Sequence, residues 1–415
     1  MILDRRSRAS RFCTKFWQRW DERPSAVLRW LAGMTAAITG RAVARRVATR
    51  GQPPRFPFIL SVGNLRVGGT GKTPVVLALA RALAQRGHHG AILTRGYGSA
   101  QSGPLLVRAD DPTAADEARL LAAELPEWPV VQARDRAAGL GFLTSSPTAS
   151  LTTFLTTTTR SPRLDLVILE DGFQTARVPR HLDVVILDRW RQEGGLITPE
   201  TGWVLPWGPY REEATGAARA AIWLVEVDEE TALLREMQPK GDREGDSEGG
   251  NEGHSEGGRE GDGERGREEP SRSVQARSVK WRGHGSTAAV PVLPFRRRLT
   301  WSPGMDRSAW PPYGVVSGLA RPEPFEHACA QNLGQQPRLV VRYEDHFAYT
   351  RHEVKWLLDA GNEAGVEAWL TSGKDWIKLN SHWPAEVPVN VPQLEIDWLN
   401  EETLPDLVEE RLSQG

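Results

Sequence analysis

A glycine-rich stretch at residues 61–74, SVGNLRVGGTGKTP, constrains the fold of this chain more than any other segment. An apolar, β-rich run at 58–62 precedes it, and an Ala- and Leu-rich run at 75–86 follows it and stops at Gly87. This order predicts a strand, a glycine loop and a helix. Such a loop turns its backbone N–H groups inward at the positive end of a helix, where they can hold a polyphosphate. The stretch therefore predicts a phosphate-binding loop (P-loop).

The residue types in the loop suit the binding of ATP with Mg²⁺. Lys72 places a positive charge near the outer phosphates, and the hydroxyl of Thr73 can bind Mg²⁺. The loop departs from the general P-loop pattern because Arg66 occupies the place of its first glycine. We expect the adjacent glycines to compensate. The predicted nucleotide-binding residues are Gly68, Gly69, Thr70, Gly71, Lys72 and Thr73.

Length and composition indicate a globular protein with one unusual insertion. The 415 residues are enough for two domains, and the chain is 39% apolar and 25% charged. Residues 241–269 are almost wholly Gly, Glu, Arg, Asp and Ser, so we expect a disordered acidic insertion spanning 237–285. The net charge of −1 argues against a nucleic-acid binder. Cys13 and Cys329 have no zinc-site or disulfide spacing.

The N-terminal segment 1–55 is basic and rich in Trp. It carries thirteen Arg or Lys residues against three acidic ones, and residues 1–21 lack the apolar core of a secretory signal. Its apolar run at 31–39 is shorter than the ~20 residues that span a bilayer. The pattern predicts an amphipathic helix lying on an anionic membrane surface. The alternative is a helix whose Trp residues pack on the body of the protein.

Acidic residues follow successive apolar strands, as in an open parallel sheet. Glu170 and Asp171 follow the run 164–169, and Asp188 follows the run 182–187. Ligands bind at this edge of doubly wound sheets, so we expect Glu170 and Asp171 to hold Mg²⁺. The pattern predicts an α/β fold. A P-loop NTPase-like, mostly parallel sheet is expected at 56–236, and a second, smaller α/β lobe at 286–415 is expected to complete the active-site cleft.

Eight motifs in the same order resemble the tetraacyldisaccharide 4'-kinase family of lipid A biosynthesis. The motifs are Gly63-Asn64, residues 67–74, residues 94–98 (TRGYG), residues 171–174 (DGFQ), residues 208–212 (GPYRE), Ser317-Gly318 with Pro322, Asp345-His346, and Lys374-Asp375 with Lys378. The chain departs from the family at Glu170, where Asp is usual, and at Thr175, where His is usual.

The resemblance implies a kinase that uses ATP and Mg²⁺ to phosphorylate the 4'-hydroxyl of an acylated disaccharide 1-phosphate. It implies that Asp116 and His346 form a general-base pair and that Lys72 assists catalysis. An acylated substrate lies in a bilayer, which favours the membrane interpretation of segment 1–55 and a peripheral location on the cytoplasmic face of the bacterial inner membrane. The motif residues expected to contact the substrate are Arg95, Tyr97, Gln174, Arg211 and Glu212.

Two other functions are compatible with the P-loop. One is a kinase of another, water-soluble small molecule, for which a membrane-binding segment has no purpose. The other is a nucleotide-dependent switch or a metallochaperone-type ATPase, which would hydrolyse nucleotide slowly and respond to a protein partner.

Overall fold

The computed structural model describes residues 1–7, 33–36, 38–40, 42–43, 45, 52–144, 163–175, 177–193, 196–227, 290–302 and 304–414. The acidic insertion expected at 237–285 lies outside these ranges, as do residues 8–32 and 46–51 of the N-terminal segment.

The described ranges alternate between strands and helices. The strands are β1 (Ile2–Asp4), β2 (Phe58–Asn64), β3 (Gly90–Thr94), β4 (Leu105–Leu106), β5 (Val130–Gln132), β6 (Leu166–Glu170), β7 (Leu182–Leu187), β8 (Trp190–Glu193), β9 (Leu196–Pro199), β10 (Ile222–Glu226), β11 (Val292–Thr300), β12 (Tyr313–Ser317), β13 (Leu339–Arg342), β14 (Ala368–Thr371), β15 (Val389–Asn390) and β16 (Gln393–Trp398). The α-helices are α1 (Lys72–Gln85), α2 (Asp116–Glu124), α3 (Arg136–Thr144), α4 (Glu323–Leu333), α5 (Arg351–Glu363), α6 (Gly373–Leu379) and α7 (Leu404–Gln414).

A nine-stranded sheet forms the larger part of the fold. Its strand order is β16-β11-β10-β7-β2-β6-β3-β5-β4. All neighbouring strands are parallel except the two edge pairs, β11 with β16 and β4 with β5. Every residue of β2, β3 and β6 is buried, as expected for central strands covered on both faces. The predicted P-loop α/β sheet is confirmed.

A second sheet of five parallel strands has the order β1-β13-β12-β14-β15. The division between the two sheets differs from the sequence-based division at residue 286. Strand β11 extends the larger sheet by pairing with β10, and β16 then covers the edge of β11. Strand β1, from the predicted N-terminal segment, joins the smaller sheet through β13. An edge strand presents unpaired backbone N–H and C=O groups, with which a strand from a distant part of the chain can pair. Local sequence patterns do not encode this pairing.

Helices α2 and α6 pack against each other and join the two parts of the fold. The guanidinium of Arg119 on α2 donates to the carbonyl oxygen of Ile377, 3.1 Å away. The ammonium of Lys374 on α6 lies 3.2 Å from a carboxylate oxygen of Glu117. Lys374 also contacts Asp345, which follows β13, so the first turn of α2 lies beside the loop after β13.

Part of the N-terminal segment is helical. Positions 33–36, 38–40, 42–43 and 45 have helical backbone, and Ala36 packs against the core on one face of the larger sheet. Met34 and Ile38, one helical turn apart, are 46% and 62% exposed. Within the described ranges no helix has the length and apolarity needed to cross a bilayer. Membrane binding by residues 1–55 stays a prediction.

Candidate active site

The P-loop connects β2 to α1 and is held from beneath by Asn64. The side-chain amide of this buried residue donates to the carbonyl oxygen of Arg66, 2.6 Å away, and to Oγ1 of Thr70, 2.5 Å away. Gly68 and Gly71 have φ angles of 99° and 81°, in the left-handed region that favours glycine. Apart from its two chain neighbours, no described residue has a heavy atom within 4 Å of where a Cβ of Gly68 would stand. The loop therefore opens toward solvent, as phosphate binding requires.

A second loop, at residues 208–212, is fastened to the P-loop by backbone hydrogen bonds. The N–H of Val67 donates to Pro209 and the N–H of Arg211 donates to Leu65, each at 2.8 Å. Arg66, which replaces the first glycine of the general pattern, is 7% exposed and lies 2.6 Å from Asp188. Arg66 thus holds the P-loop against the end of β7, and Arg211 lines the same cleft as the P-loop.

Asp171, directly after β6, lies between two cationic side chains. Its Oδ1 is 2.7 Å from the guanidinium of Arg211 and 3.6 Å from the ammonium of Lys72. Burial acts to raise the pKa of Asp171, but Lys72 and Arg211 together lower it to about 2. The carboxylate is therefore ionised at every physiological pH.

Glu170, the last residue of β6, has a different environment. Its side chain is buried, and Oε2 accepts a hydrogen bond from the hydroxyl of Thr94 at 2.9 Å. Burial, helped by the charge of Glu117, raises the pKa of Glu170 to about 7. Oε1 has no hydrogen-bond partner among the described residues. This oxygen can therefore accept a further donor or a metal-bound water.

Three oxygen-bearing side chains fit Mg²⁺. The hydroxyl of Thr73, the ionised carboxylate of Asp171 and the unpaired oxygen of Glu170 are hard donors of the kind that Mg²⁺ prefers. The described part of the chain contains no cluster of three or more His, Cys, Asp or Glu side chains suited to a metal. This composition agrees with an ion held by one or two carboxylates together with nucleotide phosphates.

Asp116 and His346 meet across the two parts of the fold. Nδ1 of His346 lies 3.3 Å from Oδ2 of Asp116, and the ring of Tyr97 stands 5.5 Å from the imidazole. His346 has a φ of 62°, an uncommon conformation for a residue other than glycine. Burial acts to raise the pKa of Asp116, but the hydrogen bond from His346 and the charge of Lys378 bring it below the usual value.

Two lysine side chains of α6 contact the dyad or the carboxylates beside it. The sequence patterns assigned them no role. Lys374 bridges Glu117 at 3.2 Å and Asp345 at 2.8 Å, and Lys378 lies 3.2 Å from Oδ2 of Asp116. The available signal was their spacing of four residues, which places both side chains on one face if the segment is helical.

A cleft of about 2100 Å³ contains most of the predicted site. Asp116 is absent from its lining and lies behind His346. Glu212 also lies behind the surface: it is 3% exposed and accepts hydrogen bonds from Gln174 and Arg219, each at 2.9 Å. The predicted residues that line the cleft are Gly68, Gly69, Thr70, Gly71, Lys72, Thr73, Arg95, Tyr97, Glu170, Asp171, Gln174, Arg211 and His346.

Comparison with known proteins identifies the family. Residues 24–413 match the family model described as Tetraacyldisaccharide-1-P 4'-kinase, LpxK. A tetraacyldisaccharide 4'-kinase from Anaeromyxobacter dehalogenans (strain 2CP-1 / ATCC BAA-258) is 32% identical over 87% of this chain and 84% of its own length. One from Maricaulis maris (strain MCS10) is 31% identical over 88% and 86%. The crystal structure of LpxK from Aquifex aeolicus in complex with ATP shares the fold, with a TM-score of 0.58, 20% identity, and coverage of 93% of this chain and 99% of that one. Because the family model and these relatives match nearly its whole length, this chain belongs to the tetraacyldisaccharide 4'-kinase family.

Proposed function

We propose that this protein transfers the γ-phosphate of ATP to the 4'-hydroxyl of a tetraacyldisaccharide 1-phosphate in lipid A biosynthesis. Membership of the family supports this substrate. The observation that carries the proposal is the position of His346, which lines the same cleft as the P-loop and contacts Asp116 from the other part of the fold. A phosphate donor site and a proton acceptor for a hydroxyl thus share one cavity.

The P-loop binds the phosphates of ATP through its backbone N–H groups at the start of α1. Lys72 points toward Asp171 and can turn the same ammonium to the β- and γ-phosphates. Arg211 lines the cleft beside it and supplies a planar cation suited to phosphate oxygens. Together they offset the negative charge that accumulates on the transferred group.

Thr73, Asp171 and Glu170 are the residues that would hold Mg²⁺. When bound, the ion would supply positive charge that offsets the negative charge of the phosphates during transfer. Asp171 is suited to this task because it stays ionised, whereas Glu170, with a pKa near 7, can hold a proton when no cation is present.

The dyad of His346 and Asp116 accepts the proton of the attacking hydroxyl. His346 faces the cleft, and Asp116 orients its ring from behind through the 3.3 Å contact with Nδ1. As the bond between the 4'-oxygen and the γ-phosphorus forms, the bond from that phosphorus to ADP breaks and the hydroxyl proton passes to the dyad. Tyr97, which is 70% exposed beside His346, and Arg95 both line the cleft, and we expect them to contact the sugar or its phosphate.

Segment 1–55 brings the enzyme to its membrane-bound substrate. Ile38 lines the cleft and is 62% exposed, so this segment presents an apolar side chain beside the site proposed for the glycolipid. The thirteen basic residues of the segment favour an anionic leaflet. We place the protein peripherally on the cytoplasmic face of the inner membrane, where ATP is available.

The test is an assay of ATP-dependent phosphorylation in mixed micelles. The protein is incubated with ATP, Mg²⁺ and a tetraacyldisaccharide 1-phosphate, and the product is examined by mass spectrometry and by NMR for a new 4'-phosphate. Formation of the 4'-phosphate supports the proposal. ATP turnover only with a water-soluble acceptor would indicate another small-molecule kinase. Hydrolysis without any acceptor, stimulated by a protein, would indicate a nucleotide-dependent switch.

A further inference from the structure

Lys378 lies in contact with the carboxylate of the dyad. Its Nζ is 3.2 Å from Oδ2 of Asp116, the same oxygen that faces Nδ1 of His346 at 3.3 Å. The Lys378 side chain is 9% exposed, against 17% for Asp116 and 23% for His346. Burying an ammonium is costly unless it is paired, so this position requires a compensating anion.

The side chains next to Lys378 on its own part of the fold, Asp375 and Tyr349, pack near its ammonium but do not pair closely with it. Asp375, one turn earlier on α6, is fully buried and 3.8 Å from Nζ. Asp375 already accepts hydrogen bonds from the N–H of Gly318 at 3.0 Å, from the hydroxyl of Tyr349 at 3.0 Å and from the hydroxyl of Ser372 at 2.6 Å. The ring of Tyr349 lies 5.5 Å from Nζ. The nearest carboxylate to Lys378 is therefore Asp116 and not its neighbour on the helix.

Lysine at this position is unusual for this chain. Only seven of its 52 basic residues are Lys, and the rest are Arg. Of the four lysines within the described ranges, Lys72, Lys374 and Lys378 stand at the cleft or beside the dyad. A compact ammonium fits a single oxygen atom in a narrow buried space, which the planar guanidinium of Arg does not.

We infer that Lys378 is a positioning residue of the dyad, whose ammonium holds Oδ2 of Asp116 so that this carboxylate orients His346 toward the substrate hydroxyl. The inference rests on the proposed function. Lys378 does not itself line the cleft, whereas His346 does, so it acts through Asp116 and not on the substrate.

The ammonium also keeps Asp116 ionised. Burial acts to raise the pKa of Asp116, and His346 and Lys378 lower it, so loss of Lys378 leaves burial less opposed and the pKa rises. Activity that needs ionised Asp116 is lost as the pH falls through the pKa of Asp116. Because loss of Lys378 raises that pKa, the acid limb of the rate profile should move to higher pH. Titratable or charged groups lie around the pair on several elements: Asp345 and Tyr349 in the loop after β13, Lys374, Asp375 and Lys378 on α6, Glu117 on α2, and Tyr97 in the loop after β3.

The test compares K378M, K378R and the control K355M in the mixed-micelle assay. Lys355 is an exposed lysine on α5 that does not line the cleft. For K378M we expect kcat to fall about tenfold or more, with KM for ATP and for glycolipid within about twofold. Its acid limb should move up by about one pH unit. K378R keeps the positive charge, so its limb should stay in place while kcat falls. K355M should match the intact protein, and thermal midpoints of all variants establish that they fold.

Three results would overturn the inference. One is a K378M variant with unchanged kcat and acid limb. Another is a rise in KM alone, which would make Lys378 a substrate contact. If K378M does not fold, K378R decides: a shifted limb in this folded variant would contradict the charge argument. Failure of the intact protein to form the 4'-phosphate would instead remove the proposed function, and the inference with it.

Discussion

His346 places Nδ1 3.3 Å from Oδ2 of Asp116, although 230 residues separate the two in the chain. Asp116 begins α2 beside the larger sheet, and His346 follows β13 of the smaller sheet. The pair exists only while α2 and α6 stay packed, and the ion pair between Lys374 and Glu117 closes the same interface. In the proposed mechanism the proton acceptor is therefore assembled by the joining of the two parts of the fold.

Asn64 should control the affinity for ATP. Its buried amide supports the P-loop through Arg66 and Thr70, so N64A should raise KM for ATP about tenfold with a smaller effect on KM for glycolipid. T70V removes only one of these contacts and should have a weaker effect. N332A, which loses a hydrogen bond to Ala328 on α4, is the control. Calorimetric titration with ATP measures the affinity directly, and equal Kd values for N64A and N332A would contradict this role.

Replacement of Arg211 should lower the concentration of Mg²⁺ that the enzyme requires, because Arg211 lies beside Asp171. R211M removes one of the two cations beside Asp171, and the carboxylate should then attract Mg²⁺ more strongly. We expect the half-saturating Mg²⁺ concentration to fall while kcat drops about a hundredfold, since in the proposed mechanism Arg211 also offsets charge on the transferred phosphate. Chelation of the metal should abolish transfer. The control is R321M, because Arg321 lines the cleft but pairs with Asp188. A higher Mg²⁺ requirement in R211M would count against the assignment.

Met34 and Ile38 should contribute to membrane binding. Both are exposed apolar residues of the N-terminal helix, so M34E and I38E should each weaken binding to anionic vesicles about tenfold. Phe56 is 61% exposed but precedes β2, at the opposite edge of the sheet from the P-loop, which makes F56E a matched control. Co-sedimentation with phosphatidylglycerol vesicles measures the binding. Equal losses in all three variants would show a general effect of charge.

His181 should make the fold sensitive to acid. Its Nδ1 accepts the N–H of Ile59 at 2.9 Å, its ring stacks on Phe58, and burial lowers its pKa below 6.5. Below pH 6.5 the unfolded chain therefore binds more protons than the folded one. Stability present above this pH is lost as the pH falls through the folded-state pKa. H181Q cannot titrate, so its thermal midpoint should fall less than that of the intact protein between about pH 7 and about pH 5. Parallel profiles would refute the argument.

Local patterns predicted the central elements of the larger sheet well. The strand expected at 58–62 and the helix expected at 75–86 are β2 at 58–64 and α1 at 72–85. Strand and helix periods are properties of adjacent residues, and the glycine loop between them has its own signature. The positions of Glu170 and Asp171 at the end of β6 followed from the same reasoning.

Long-range relationships required other information. The pairing of Asp116 with His346 was implied by family resemblance and not by any local pattern. The addition of β11 and β16 to the larger sheet depends on hydrogen bonds between distant strands. Lys378 stands in one of the family motifs, but the sequence shows neither its burial nor its contact with Asp116, which depends on the packing of α6 on α2. These features arise from tertiary packing, which a single sequence does not display.

The most direct test of the account is the rate of γ-phosphate transfer to the tetraacyldisaccharide 1-phosphate by the intact protein, D116A, H346A and the double variant. We predict that the intact protein forms the 4'-phosphate and that each single variant loses about a hundredfold or more in kcat. The kcat of the double variant should lie within a few fold of that of the slower single variant, because the two residues act as one unit. Contradiction would come from binding of ATP without any transfer to the glycolipid, or from losses that multiply in the double variant.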